Sequence, residues 1–458
     1  MSSPRSIAII GAGFSGTLVA SHLLLLAKSP LNIHLIERTP GQFGRGVAYS
    51  TFANCHLLNV PAGNMSAFPD DKEHFLRWAK HREGCLLNEP WVQSVSASSF
   101  LPRKAYGDYL ADILVNAERN AAPGVRLFRY YDEAIELTPG KPHAALRLSR
   151  AGTLYPNKVI LALGNFPPGD PQLGNSAFYS SHRYFGNPWS PNVMAGIWPT
   201  KACLLIGSGL TMVDWTITLQ QSGYTGTIHC ISRRGLWPHA HQASKPVQSP
   251  LRVGTSLLDS LRQLRRSTAN SPESWRAHID ALRPNTQELW KSLPLSEKRQ
   301  FLRHLRPYWD CHRHRLAPVV AEHLKEMSKS GRLVQHIGRI QKYVENEKAV
   351  NVQICQRGSL KSYDVPVEAV VNCSGSETNY RKLERPLIRD LLVRGLVRPD
   401  PLEIGLDVDE HGALIDSKGT PSRQIYTLGP PQKGILWETT AVPELRGQAA
   451  RLAARLMA

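Results

Sequence analysis

The feature that most constrains this chain stands at its start. Ile7 to Ile10 is a short apolar run of strand character, and GAGFSG follows at 11–16. An apolar helical stretch then runs from about Thr17 to Ala27, and a second strand-like run, Ile33 to Ile36, ends at Glu37. Each part has a mechanical task. Gly11 permits a tight turn, Gly13 lets the backbone approach a pyrophosphate, and Gly16 lets helix and strand pack closely. The free N–H groups and positive dipole end of the helix face the same anion. Glu37 accepts hydrogen bonds from a ribose diol. Glycines at this spacing mean little alone, but between a strand and a helix, with an acid closing the next strand, they specify a βαβ dinucleotide unit.

The pattern recurs. Ala202 to Ile206 reads as a strand, GSGLTM follows at 207–212, a helix runs to about Gln221, and Thr227 to Ile231 is the next strand. Met212 stands where the first copy has its third glycine, so helix and strand are expected to sit slightly further apart. The offset from Gly11 to Glu37, applied from Gly207, falls on Arg233, with Arg234 beside it. A carboxylate there favours an unmodified ribose, whereas a guanidinium holds a 2′-phosphate with two parallel hydrogen bonds. The first unit therefore suits FAD and the second a nicotinamide cofactor, NADPH or NADH. The alternative for the two arginines is a solvated loop, with NADH serving equally well.

Three further strands end in small residues: Lys158 to Leu163 before Gly164, Ala369 to Asn372 before Ser374 and Gly375, and Gln424 to Leu428 before Gly429. Such ends recur where a chain passes close to a bound dinucleotide. The expected fold class is α/β, with two Rossmann-like dinucleotide-binding domains, the NAD(P)-binding one inserted in a discontinuous FAD-binding one. The predicted boundaries are 1–165 and 366–458 for the FAD-binding domain and 166–365 for the insertion, with a helical, substrate-proximal segment at about 255–330. A chain of 458 residues has room for this at roughly 150 residues per domain.

Composition excludes other classes. With 42% apolar and 20% charged residues the chain reads as an ordinary globular protein. A net charge of +18 implies anionic partners. The basic residues are spread along the chain without a motif that reads DNA, so nucleic acid is not an expected partner. Seven cysteines, widely separated and without a CxxC pair, fit a reduced, cytoplasmic protein better than a disulfide framework or a zinc site. The apolar run Ile7 to Ala27 is broken by glycines and serines and reads as neither a signal peptide nor a membrane span. No metal or membrane is expected; a homo-oligomer is compatible with the chain.

Beyond the two units, GAGFSG at 11–16, GQFGRGVAYS at 41–50, LLNVPAGNMSAFPDD at 57–71, FLPRKAYGDYL at 100–110, GSGLTMVD at 207–214, RHLRPYWDCHRHR at 303–315 and LWETTAVPELRGQAA at 436–450 carry a resemblance. The chain resembles the flavoprotein family whose FAD/NAD-binding domain is shared by bacterial FAD-dependent urate hydroxylase and an aspartate N-monooxygenase. In compact length it is more similar to the urate enzyme. The resemblance implies an NAD(P)H-consuming FAD monooxygenase that uses O2, through a flavin hydroperoxide, to convert urate to 5-hydroxyisourate. The runner-up is N-hydroxylation of an amino acid or amine. A flavin-dependent NAD(P)H reductase and a non-enzymatic FAD-binding regulator are further alternatives; the lack of a close cysteine pair argues against a disulfide reductase.

In this chemistry the cofactor reacts while the protein positions it and keeps water away, so no protein nucleophile is required and the catalytic residues stay unassigned. The segment Gly44 to Ser66 is the expected flavin-ring loop. Gly44, Gly46 and Gly63 allow close approach, Asn59 and Asn64 can bond ring edges, Pro61 stiffens the turn, and Val60 and Met65 either touch FAD or fill the core. Thr439 or Thr440 is expected to cap a final helix whose apolar face is Leu445, Ala449, Leu452 and Leu456 and whose dipole stabilises reduced flavin. Ser15, Arg38, Arg103, Gly164, Gly207, Gly209, Thr211, Gly375 and Gly429 complete the cofactor set. For an anionic substrate, Arg306, Tyr308, His312 and Arg313 are the candidates, with His239 and His241 behind them.

Overall fold

The computed structural model describes residues 4–458, so the first three residues of the segment 1–165 lie outside the described residues. A six-stranded sheet is built around the strand Arg5–Ile10, in which Ser6 and the four apolar residues Ile7 to Ile10 are all buried. Leu31–Ile36 pairs with it in parallel on one side and Lys158–Leu161 on the other. Val125–Tyr130 extends the sheet beyond Leu31–Ile36, while Pro421–Thr427 and then Ala413–Ile415 extend it beyond Lys158–Leu161. Strands buried on both faces read as unbroken apolar runs, which is why a parallel sheet suits these segments.

A seven-stranded sheet repeats the plan around Cys203–Ile206, flanked in parallel by Ile228–Ser232 and by Ala369–Asn372. Tyr184–Phe185 adds one edge, and the long strand Leu333–Glu345 leads into an antiparallel ladder with Val350–Gln356 and Ser362–Val367. One expectation is corrected here. Ala369–Asn372 was assigned to the resumed FAD-binding segment beginning at 366, yet it pairs with Cys203–Ile206 in the second sheet. A run of four buried apolar and polar residues before a small one satisfies either sheet, and only the long-range pairing decides.

In each sheet the later strands add on opposite sides of the central one, so a crevice opens beyond its carboxyl end. Gly11 and Gly207 occupy that point, at φ of +101° and +113°. A Cβ on Gly11 would stand 2.3 Å from the Ala162 carbonyl oxygen, and one on Gly207 would stand 2.5 Å from that of Cys373. In both sheets the neighbouring strand's exit therefore closes over a bare backbone. Gly16 serves packing as expected, since its Cβ would meet the Gly11 carbonyl oxygen and the Ile9 side chain. The helices that follow are Phe14–Leu26 and Leu210–Gln221. The first begins three residues before the expected Thr17 because the motif's own Phe-Ser-Gly forms its first turn.

Gly11→Ala combines a left-handed φ with a backbone clash. It is expected to lower stability by about 1–3 kcal/mol, whereas Gly174→Ala, with open space around it, should stay within about 0.5 kcal/mol of the parent. Thermal unfolding of the two variants measures the difference, and equal midpoints would contradict this account of the turn.

Candidate functional site

A cavity of about 1440 Å³ runs from the first glycine turn to the junction of the two sheets. Gly11, Gly13, Phe14 and Ser15 bring the helix N-terminus to its wall. Glu37 and Arg38 line the next stretch. The Glu37 carboxylate is fixed by two backbone donors, Ala12 N–H at 3.1 Å and Thr39 N–H at 3.0 Å. Carboxylate oxygens can accept more than one bond each, so Glu37 remains able to hold a diol while its rotamer is set. Asp132, Glu133 and Arg385 share this end.

The segment expected to meet a flavin ring supplies Gly46, Asn59, Val60, Pro61, Asn64 and Met65 to the wall, but not Gly44 or Gly63. Gly63 instead packs on Ala97. Gly13 and Gly46 pass each other closely: a Cβ on Gly46 would lie 2.9 Å from the Gly13 Cα. The small size of Gly13 thus admits the following loop as well as any ligand. Gly164, Gly375 and Thr440 also line the cavity. Gly429 does not; its N–H donates to Gln448 at 2.9 Å, inside the core.

The final helix, Val442–Met457, has Ala441 at its N-cap and no side-chain cap. This corrects the expected threonine cap, because the Thr439 hydroxyl donates instead to the Gly429 carbonyl at 3.1 Å. Leu445, Ala449, Leu452 and Leu456 are buried as expected. Ala441, Val442 and Pro443 border the cavity, so the helix still points its positive end there.

Residues of the second unit close the far side: Asn187, Trp189, Leu210, Thr211 and Asp214. Arg103, on the helix Arg103–Arg119, binds Asp214 across the junction at 2.6 Å, and both side chains are largely buried. Its Nε donates to the Leu57 carbonyl at 3.0 Å. His56 lies beside this pair, bonded to Thr51 and Thr218 at 2.6 and 2.7 Å, and burial lowers its pKa. Gly207, Gly209, Arg233 and Arg234 stand outside the cavity, at the separate turn of the second sheet. A Cβ on Gly209 would meet nothing within 4 Å, which leaves that backbone open to a pyrophosphate. Arg233 is half-buried, and burial first, then the charges of Arg234, Arg339 and Arg306, lower its pKa. Such mutual repulsion is relieved by an anion.

The expected substrate stretch divides. Arg313 lines the cavity, together with the neighbouring His314 and Arg315. Arg306, Tyr308 and His312 do not: Arg306 pairs with Asp310 at 3.4 Å, Tyr308 is 44% exposed, and the His312 Nδ1 sits 2.7 Å from the Tyr308 carbonyl. They lie earlier on the helix Arg306–Arg313 or on its outer face. His241 lines the cavity, bonded to the Asn59 carbonyl at 3.0 Å, whereas His239 does not. The His239, Cys311 and His312 donor atoms lie within 4.8 Å of one another, but Arg276 and Arg315 bear on the same His239 imidazole and oppose a cation. Residues that the sequence did not single out are Asp280 and Arg283, which lie in no motif, and Asp214, Arg446 and Glu438, which lie inside motifs without an assigned role; all but Glu438 are on the cavity wall, and it lies behind.

Comparison with known proteins agrees with this geometry. A family profile described as FAD-NAD(P)-binding matches residues 8–166. No curated protein sequence matches at a significant level. Among solved structures, the reduced form of ornithine hydroxylase from Pseudomonas aeruginosa is similar with a TM-score of 0.67 at 15% identity, covering 100% of this chain and 99% of its own. The Kutzneria sp. 744 ornithine N-hydroxylase, solved with reduced FAD, NADP+ and L-ornithine, gives 0.61 at 14% identity and covers 99% of both chains. A cadaverine monooxygenase from Erwinia amylovora bound to FAD gives 0.66 at 12%, covering 100% of this chain and 95% of its own. The chain has the fold of flavoproteins with two dinucleotide-binding domains. Among the described residues no helix is long and apolar enough to cross a membrane.

Two outcomes are expected. Asp214→Ala strands the largely buried Arg103 charge and should cost about 3 kcal/mol, with part of it restored when Arg103 is also made apolar; a neutral single variant in denaturant titration would contradict the junction pair's role. Arg233→Ala should raise the KM for NADPH about tenfold and leave that for NADH unchanged; equal effects on both would show that this arginine reads no 2′-phosphate.

Proposed function

We propose that the protein is an FAD-dependent, NADPH-consuming monooxygenase that N-hydroxylates a small aliphatic primary amine. The observation that carries this reading is a single cavity bounded by both dinucleotide units, whose far end is walled by Arg103, Arg283, Arg313, Arg315 and Arg446. An amine is oxygenated through its lone pair, so it must arrive neutral. The carboxylates at that end, Asp214 and Asp280, are engaged by Arg103 and Arg315, so the amine meets no free carboxylate to hold it as ammonium, and the reactive neutral form is favoured.

The chain's residues fit the cofactor. Gly11, Gly13, Ser15 and the helix start would take the FAD pyrophosphate, Glu37 the ribose, and the 59–65 loop with the final helix the flavin ring. When bound, FAD supplies the activation of O2. The protein's share is to orient the amine, to keep water out between the two units, and to stabilise negative charge on the ring through the helix dipole. Arg233 with Arg234 would hold the NADPH phosphate. In net terms amine, O2, NADPH and a proton give the hydroxylamine, water and NADP+.

Urate hydroxylation, the first expectation, rested on similarity of length within the resemblance. The structural neighbours named above are an ornithine hydroxylase, an ornithine N-hydroxylase and a cadaverine monooxygenase, and this favours the amine alternative. A basic cavity alone accepts either ligand, so the distinction is experimental. NADPH oxidation by the FAD-loaded enzyme should rise with a primary amine from a panel of amino acids and diamines, with hydroxylamine formed in proportion. Stimulation by urate with loss of its ultraviolet absorbance, and none by any amine, would reverse the reading.

A further inference from the structure

The arginines at the far end of the cavity are not equivalent. Arg103 is committed to Asp214 and the Leu57 carbonyl. Arg283 binds both oxygens of Glu444, at 2.8 and 3.0 Å. Arg315 binds Asp280, and Arg446 donates to the Ser66 carbonyl at 2.8 Å. Arg313 donates no side-chain hydrogen bond. It is 9% exposed, and its Nε and Nη2 are buried without a partner.

The nearest carboxylate does not satisfy it. Glu438 Oε2 stands 3.4 Å from Arg313 Nε, outside hydrogen-bond geometry, and itself has no donor. Glu438 cannot readily close the gap. Its backbone is left-handed at φ +62°, and its other oxygen is held by the Trp309 indole at 2.7 Å. Burial would raise this carboxyl's pKa, but the charges of His314 and Arg313 and the Trp309 bond bring it below the ordinary value. Glu438 therefore balances the Arg313 charge without filling its donors. Buried guanidinium donors left unmet are costly, and a planar carboxylate is the acceptor that meets two of them at once.

We propose that Arg313 anchors a carboxylate of the substrate, so that the enzyme takes amino acids in preference to diamines. This rests on the amine reading above and narrows it. Glu438 acts as a positioning residue that holds the guanidinium on the cavity wall. The anchor lies at a fixed place, so it also sets how far the reacting amine reaches along the cavity.

The test uses pairs that differ only by the carboxylate, L-ornithine with putrescine and L-lysine with cadaverine, on the FAD-loaded enzyme. The amino acid of at least one pair should show a kcat/KM about tenfold or more above its diamine. Arg313→Gln should remove that advantage by raising the amino-acid KM about tenfold more than the diamine's, and Arg313→Lys should restore part of it. Should Arg313→Gln fail to retain flavin, the parent enzyme's pairs decide alone. Equal efficiency within both pairs overturns the anchor and leaves N-hydroxylation standing. If no pair is turned over, titration of the flavin absorbance replaces turnover. Binding by the carboxylated members alone supports the anchor while removing N-hydroxylation, and binding by neither member overturns the anchor.

Discussion

Everything in this structure depends on a close approach made twice: the exit of one strand closes over a bare glycine at the end of its neighbour. At Gly11 the Ala162 carbonyl occupies the place of a side chain, and at Gly207 the Cys373 carbonyl does. The contact fixes two things together. It lets the sheet reverse direction tightly enough to leave a crevice, and it brings the next strand's small-residue exit, Gly164 or Gly375, to that crevice. Any Cβ would push the two strand ends apart. The anion-binding helix start follows directly from the turn, so the cradle for a pyrophosphate is a consequence of sheet packing.

The two units become one site through a few polar links between distant parts of the chain. Arg103 to Asp214 joins the helix after the flavin loop to the first helix of the second unit. Arg283 to Glu444 and Trp309 to Glu438 tie the helical segment to the entry of the final helix. Each link buries charge or a polar group, which is favourable only when the partners are held in good geometry. Their combined effect is a cavity wall assembled from both units, with cations gathered where a substrate would lie and the helix dipole directed at the same region.

The parts of the fold that the sequence revealed are those set by local pattern. The run Ile7 to Ile10, its glycines and Glu37 form one continuous unit, and their spacing carries their roles. The second unit repeats it well enough for Arg233 to be found by offset. Sheet membership of Ala369–Asn372 was not legible, because a short buried strand before a glycine reads alike in both sheets and its pairing lies more than a hundred residues away. The substrate wall was legible only in part. RHLRPYWDCHRHR offers many polar side chains, and a π-helical turn at Phe301–Leu305 followed by the helix Arg306–Arg313 decides which ones face inward. Arg313 does, whereas Tyr308 and His312 do not. Arg283 lies in no motif, and Glu438 and Arg446, though inside LWETTAVPELRGQAA, carry no role in its pattern; all three matter through partners that only folding brings near.

The central claim is that one chain holds a flavin and its electron donor on two similar clamps, the first opening into the cavity and the second at its own turn beside it. The direct measurement is anaerobic mixing of the FAD-loaded protein with NADPH while the flavin absorbance is followed. The account predicts that the yellow colour bleaches and returns when O2 is admitted. A protein that takes up no FAD, or that binds it but leaves it oxidised in the presence of NADPH, would contradict it.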